Sequence, residues 1–178
     1  GIDLGTSGCR ISVLQQDKKE VYTKAVLWKD RYSYDDPTGW VDSVKSLIRD
    51  ASAAVDGLDT TLRSICVSGT SASCVIMDTK TGEASTAARM YDFSVSSLKD
   101  GKDVLDRLVA AAPPKHTAVS PTGSLAKLLA WQAEGPLTDT QVLAHQADFV
   151  VSHLCYDSND LPYKVVSDWH NCLKLGYD

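Results

Sequence analysis

The sequence predicts a mixed α/β fold, and three observations predict it. The first residues alternate apolar and polar in short runs parted by polar turns. One long amphipathic stripe follows, and beyond it a short apolar run ends in a turn of small residues. Strands, a crossover helix, more strands and then helices make the order of a layered α/β domain. At 178 residues, 43% hydrophobic and 23% charged, the chain fits one globular domain with its own core. A net charge of −5 argues against broad attraction to phosphate backbones, since nucleic-acid binders carry a basic face. No apolar run approaches the ~18 residues of a membrane span, so no membrane partner is expected.

The elements follow in order. Ile11 and Val13 alternate with Arg10 and Ser12, a half-buried strand leaving the turn Gly5-Thr6-Ser7-Gly8. A second strand runs from about Val21 to Leu27 after a polar turn, so the sheet opens as an antiparallel meander. Trp40, Val44, Leu47, Ile48, Ala51 and Val55 then fall on one face of a helix. Asp36-Pro37 is its start and Gly57 its stop. Ile65-Cys66-Val67 reads as a buried central strand reached by that crossover, and Cys74 to Met77 as another strand ending at Asp78.

From there the sequence reads as helical. Val104, Leu105, Leu108 and Val109 form one stripe, closed by Pro113-Pro114. Thr122 is placed to cap a helix through Leu125, Leu128, Leu129 and Trp131. A further helix spans Ala147 to Leu154, with Phe149, Val150 and Leu154 inward. The five cysteines form no CxxC pair, which points to neither a disulfide framework nor a zinc site. Cys66 and Cys74, among apolar neighbours, are expected in the core. The four histidines are scattered, and none stands out by spacing.

Three segments carry chemistry-bearing residues. In Gly1-Ile2-Asp3-Leu4-Gly5-Thr6-Ser7-Gly8, an acid at a strand end precedes glycines and hydroxyls that can turn N–H and O–H donors toward an anion. A carboxylate beside that anion calls for Mg²⁺ or a proton between them. A plain hairpin turn uses the same residue types. The Ser68 to Ser73 turn offers four hydroxyls, either a polyol-binding rim or an ordinary polar loop. In Val166-Ser167-Asp168-Trp169-His170-Asn171, Ser167 or Asp168 serves equally well as a helix cap.

Taken in order, GIDLGTSG, SGTSASCVIMD, MYDF, SPTGSLAKLLAW, HQADFV and VSDWHNCLKLGYD resemble the amino-terminal domain of the FGGY carbohydrate kinases. That family belongs to the sugar kinase, heat-shock 70 and actin superfamily. SPTGSLAKLLAW and HQADFV are similar to the plant and cyanobacterial xylulose-kinase-like branch, associated with D-ribulose phosphorylation. The resemblance implies a ribonuclease-H-like fold with a mixed sheet and flanking helices. It also implies transfer of the γ-phosphoryl of ATP, with Mg²⁺, to a hydroxyl of a ketopentose. Asp3 matches the acid that organises Mg²⁺ and touches the sugar. Gly5, Thr6, Ser7 and Gly8 match the phosphate loop, and Thr70 and Ser71 the sugar-contacting turn. Asp92 falls on a position usually held by Asn, and Phe93 on one usually acidic. Asp168 and Asn171 match a Ser-Asp…Asn pattern supporting the sugar pocket.

In the family the catalytic base and most adenine contacts come from a carboxyl-terminal domain. Residues 1–178 are therefore expected to be the first of two domains, opening at Gly1 inside the phosphate motif. The plant-branch resemblance implies an intracellular protein of plastid or cytoplasm. Alternatives are a D-xylulose kinase, a kinase-like binding module without chemistry, for which Phe93 speaks, and a superfamily ATPase acting on something other than sugar.

Overall fold

The computed structural model describes residues 1–157 and 159–177. Strands β1 (Ile2–Leu4), β2 (Gly8–Leu14) and β3 (Glu20–Leu27) form the expected antiparallel meander. Helix α1 (Pro37–Ala54) crosses to β4 (Val67–Gly69), which lies parallel to β1, so the sheet order is β3-β2-β1-β4. Strand β4 is thus the edge of this sheet and not its centre. Ile65 is 45% exposed and Cys66 is exposed, so the expected buried strand begins two residues later and buries less. An apolar run of three residues records hydrophobicity, not which neighbours arrive to cover it.

Strand β1 shows why the motif faces two ways. Ile2 and Leu4 are buried under α1 while Asp3 points out of the other face, the period-two alternation of a strand. Helix α1 supplies Trp40, Val44, Leu47 and Ala51 to the core, all fully buried, and Trp40 meets Phe149 edge-on at 6.3 Å. Each large apolar side chain removed from water this way contributes roughly 1.5–3 kcal/mol. Asp36 caps α1 as expected, its carboxylate accepting from Thr38 N at 3.0 Å. Gly57 does not end the helix. Val55 does, and Gly57 instead opens the short α2 (Leu58–Thr61).

Strand β5 (Cys74–Asp78) pairs with β6 (Gln141–His145) in a separate two-stranded sheet. The sequence reading missed β6, taking that region as helical. Its apolar residues are few and its partner lies more than sixty positions away, so no local pattern announces it. Helices α3 (Gly101–Ala111), α4 (Ser124–Glu134), α5 (Gln146–Cys155) and α6 (Trp169–Lys174) complete the fold. Val109 is 59% exposed and leaves the α3 stripe to Val104 and Leu108. Gly123, not Thr122, is the α4 N-cap, and the Thr122 hydroxyl meets Ser120 instead. The buried face of α4 is Ala126, Lys127, Ala130 and Trp131, with the leucines at its margin. Cys74 is buried as expected; Cys66 is not.

Candidate functional site

Parallel pairing of β1 with β4 carries two turns out of the sheet side by side. Leu4 lies opposite Gly69, so Gly5 and Thr70 leave the same end. Asp3 stands opposite Ser68 on one side and Arg10 on the other.

Three carbonyls of the Gly5–Gly8 loop are spent on the protein. Gly5 O accepts from Trp28 Nε1 at 2.9 Å, Ser7 O from Trp28 N at 3.1 Å, and Gly8 O from Gly5 N at 2.9 Å. With those acceptors spent on the protein, the outward edge presents the amides and hydroxyls of Thr6 and Ser7, which no other described residue engages. Unengaged amide and hydroxyl donors are what an anion requires. Gly8 has a separate reason to be glycine: a Cβ there would lie 2.2 Å from Val26 O on β3. Trp28, 2% exposed, holds the loop through both its backbone and its indole, and the sequence reading missed it. Beside the loop lies an open cleft of about 490 Å³ lined in part by Thr6, Ser7, Trp28, Lys29, Tyr32 and Tyr34. The aromatic run Trp28 to Tyr34 was the available signal for it.

The Thr70–Ser73 turn is braced from three directions. Thr70 N donates to Gln146 Oε1 at 2.9 Å, and the Thr70 hydroxyl lies 2.8 Å from the same oxygen and 2.6 Å from Ser73 Oγ. Thr70 is therefore committed to the turn. Ser71 is exposed, and its hydroxyl accepts from Lys174 Nζ at the end of α6. Ser73 Oγ accepts from Tyr91 N at 2.9 Å, which brings Asp92 to the rim. Burial first, then the Asp92 carboxylate, push the Tyr34 hydroxyl above its ordinary pKa, so Asp92 lies within electrostatic reach of Tyr34, which lines the cleft beside the Gly5–Gly8 loop. Phe93 faces elsewhere, its ring 5.0 Å from the Arg89 guanidinium, which also stacks 4.4 Å from Trp131.

Asp168 and Asn171 work as a pair. Asp168 is the N-cap of α6, accepting from Asn171 N at 3.0 Å and from Asn171 Nδ2 at 2.7 Å. Burial raises its pKa, but the Asn171 and His170 donors outweigh that and hold it below the usual carboxylate range. Asn171, buried, accepts from Ala72 N at 3.4 Å and so braces the turn from behind. The structure thus gathers all ten residues at one end of the β1–β4 pair: Asp3 and the loop on one side, Thr70, Ser71 and Asp92 on the other, Asp168 and Asn171 behind. A buried strut escaped the sequence reading. His145 Nδ1 lies 2.8 Å from Asp148 Oδ2, and Nε2 lies 2.8 Å from Ser124 Oγ. These three are fully enclosed, and they link α4, β6 and α5 rather than meet solvent.

The donor set bears on the metal as well. Among the described residues no group of three His, Cys, Asp or Glu side chains could cage a metal ion. Mg²⁺ does not require one, since it commonly takes one or two carboxylates, its own waters and substrate phosphates. Exposed Asp3, one residue from the Gly5–Gly8 loop and its unengaged Thr6 and Ser7 donors, fits that pattern.

No known protein-family model matches the sequence. The fold does match solved structures. The xylulose kinase of Rhodospirillum rubrum superposes with a TM-score of 0.72 at 17% identity, covering 99% of this chain and 37% of that one. A gluconate kinase from Lactobacillus acidophilus gives 0.64 at 17% identity, covering 85% and 32%. The Plasmodium falciparum glycerol kinase with ADP gives 0.59 at 14%, covering 84% and 32%. The chain thus has the ribonuclease-H-like fold of these sugar kinases. This chain spans about a third of the length of the solved kinases it matches. No helix among the described residues is long and apolar enough to cross a membrane.

Proposed function

We propose that this chain forms the phosphate loop and sugar rim of an ATP-dependent carbohydrate kinase of the FGGY type. The substrate we put first is the ketopentose D-ribulose, with D-xylulose the alternative. The observation that carries the reading is the shared end of β1 and β4, where a loop with unengaged amide and hydroxyl donors at Thr6 and Ser7 lies beside a braced, hydroxyl-bearing turn. ATP bound there would supply the phosphoryl group, with Mg²⁺ offsetting the charge of its oxygens. Phosphoryl transfer asks a protein mainly to position groups and balance charge. Thr6 and Ser7 donors would hold the phosphates, Asp3 would hold the metal through water, and Ser71 and Asp92 would orient the sugar. Asp168 and Asn171 would keep the Ser71 turn in place, as their bonds to each other and to Ala72 favour.

The reading includes a second domain that brings the base and an adenine platform, for which the one-third coverage of the solved kinases speaks. The 178-residue chain alone is then expected to bind Mg-ATP and pentulose weakly and to show no useful turnover, because positioning terms are missing. The test is a titration of the chain with D-ribulose, D-xylulose and glycerol, with ADP release measured in parallel. Pentulose binding without sugar-dependent ADP release is the expected result. Absence of binding to all three sugars overturns the reading, and ADP release at the rate of a full-length kinase overturns the two-domain part. A binding module without chemistry is the second reading, favoured by Phe93 being spent on Arg89.

A further inference from the structure

Lys127 is a fully buried lysine on α4, and nothing in the proposed chemistry uses it. Among the described residues its ammonium forms no ion pair with a carboxylate. Nζ donates to Ala72 O at 2.8 Å and to Met90 O at 2.6 Å, two carbonyls from separate loops. Ala72 follows Ser71 directly, and Met90 lies two residues before Asp92. One buried cation therefore ties together the two loops that carry the exposed rim residues.

Two further observations point the same way. Ala72 has φ +62°, a left-handed conformation that costs a non-glycine residue free energy and persists only where its surroundings enforce it. Here they enforce it from both sides: Asn171 Oδ1 accepts from Ala72 N, and Lys127 Nζ holds Ala72 O. The helix carrying Lys127 is itself anchored to the second loop, since Arg89 Nη1 donates to Lys127 O at 3.1 Å and Arg89 Nη2 pairs with Glu134. Burial of a lysine is costly unless its donors are satisfied. A core that needed only volume at this position would be served by methionine or leucine.

We propose that Lys127 is a positioning residue of the sugar rim, setting the distance between Ser71 and Asp92 by clamping Ala72 and Met90. The proposal rests on the reading of this rim as the sugar site. A substrate hydroxyl pair spans the two loops at fixed separation, so a rim released from its clamp loses sugar affinity before it loses its fold. The nucleotide side, built on Trp28 and the Gly5–Gly8 loop, makes none of these contacts and is unaffected.

The experiment compares the 178-residue chain with K127M, which keeps the volume and removes the donors. K127Q keeps an amide NH2 as donor on a shorter side chain that cannot reach both carbonyls as the lysine does, and L108A is a destabilised core control on α3. Pentulose and Mg-ATP affinities are read by NMR titration at a temperature where each folded variant remains folded. Amide hydrogen exchange at Ser73 and Tyr91 is followed alongside. The expected result is a loss of pentulose affinity of at least tenfold in K127M, about 1.4 kcal/mol. K127Q should fall in between, both should keep Mg-ATP affinity within twofold, and L108A should keep both. Exchange at Tyr91, relative to the other amides of the same variant, should rise most in K127M, less in K127Q and not in L108A. If the parent chain binds no pentulose, the functional reading falls and the proposal with it. If the parent binds and K127M binds equally well, the proposal alone falls. Failure of both Lys127 variants to fold assigns the residue to the fold as a whole and overturns it too.

Discussion

Gly5 and Gly8 are equivalent in the motif and unequal in the structure, which makes them a paired test. An alanine at Gly8 would put its Cβ 2.2 Å from Val26 O and 3.1 Å from Leu27 Cα. Reaching even 3.0 Å from that oxygen needs about 0.8 Å of movement (3.0 − 2.2), and the atoms in the way are backbone. Strand β3 would have to peel from β2 at the end where Trp28 grips the loop. Overpacking of this kind costs ~1–3 kcal/mol, and a rigid neighbour puts Gly8→Ala at the upper end. With a urea m-value of about 2 kcal/mol/M, the unfolding midpoint should fall by about 1.5 M. At Gly5 the nearest atom to a new Cβ is Gly8 O at 3.7 Å, an ordinary contact, so Gly5→Ala should stay within about 0.5 kcal/mol. Urea unfolding followed by tryptophan fluorescence reads both. Equal midpoints for the two variants would refute the argument, because both glycines would then serve the loop alone.

Three other outcomes follow from the geometry. Asp36→Ala removes the acceptor for Thr38 N and should cost about 1 kcal/mol in the same unfolding experiment. Burial pushes the Cys9 and Cys74 thiols up to about 12, Cys9 with some help from Asp3 and Cys74 against the pull of Lys127 and Arg89. A thiol reagent at pH 8 should therefore label exposed Cys66 and Cys155 quickly and leave Cys9 and Cys74 until unfolding, as mass spectrometry of digests would show. Burial, acting first and partly offset by nearby Cys74 and Asp92, lowers the Lys127 pKa from 10.5 to about 8. Between those values the unfolded chain binds the extra proton, so this residue's contribution to stability rises with pH from about 8 to 10.5, by at most about 3 kcal/mol. That slope should vanish in K127M; an unchanged difference between the two chains across this range would contradict the assignment.

The local elements were readable because their causes are local. The alternation at Ile11 and Val13, the stripe from Trp40 to Ala51 and the Asp36-Pro37 start are properties of neighbouring residues, and each forms where expected. Failures cluster where a distant partner decides. Strand β6 exists because β5 is there to pair with it, and Ile65 is exposed because β4 ends up at an edge. Thr122 and Gly57 are residue types suited to their expected roles, but the helices cap at Gly123 and Val55 instead.

The same division runs through the site. By itself the sequence determined the residue types: an acid, a Gly-Thr-Ser-Gly turn and a row of hydroxyls, in an order that resembles one family of kinases. Only the tertiary structure decided which of them are available. Thr70 is consumed by Gln146 and Ser73, Asp168 by a helix cap, while Ser71 and Asp92 stay exposed. Only the structure made Trp28 visible as the group that holds the Gly5–Gly8 loop, and Lys127 as the group that ties the Ala72 and Met90 loops together. The physical reason is that a hydrogen bond is decided by position in space. Lys127 lies 55 residues from Ala72 and 37 from Met90, separations that no reading of neighbours along the chain can join.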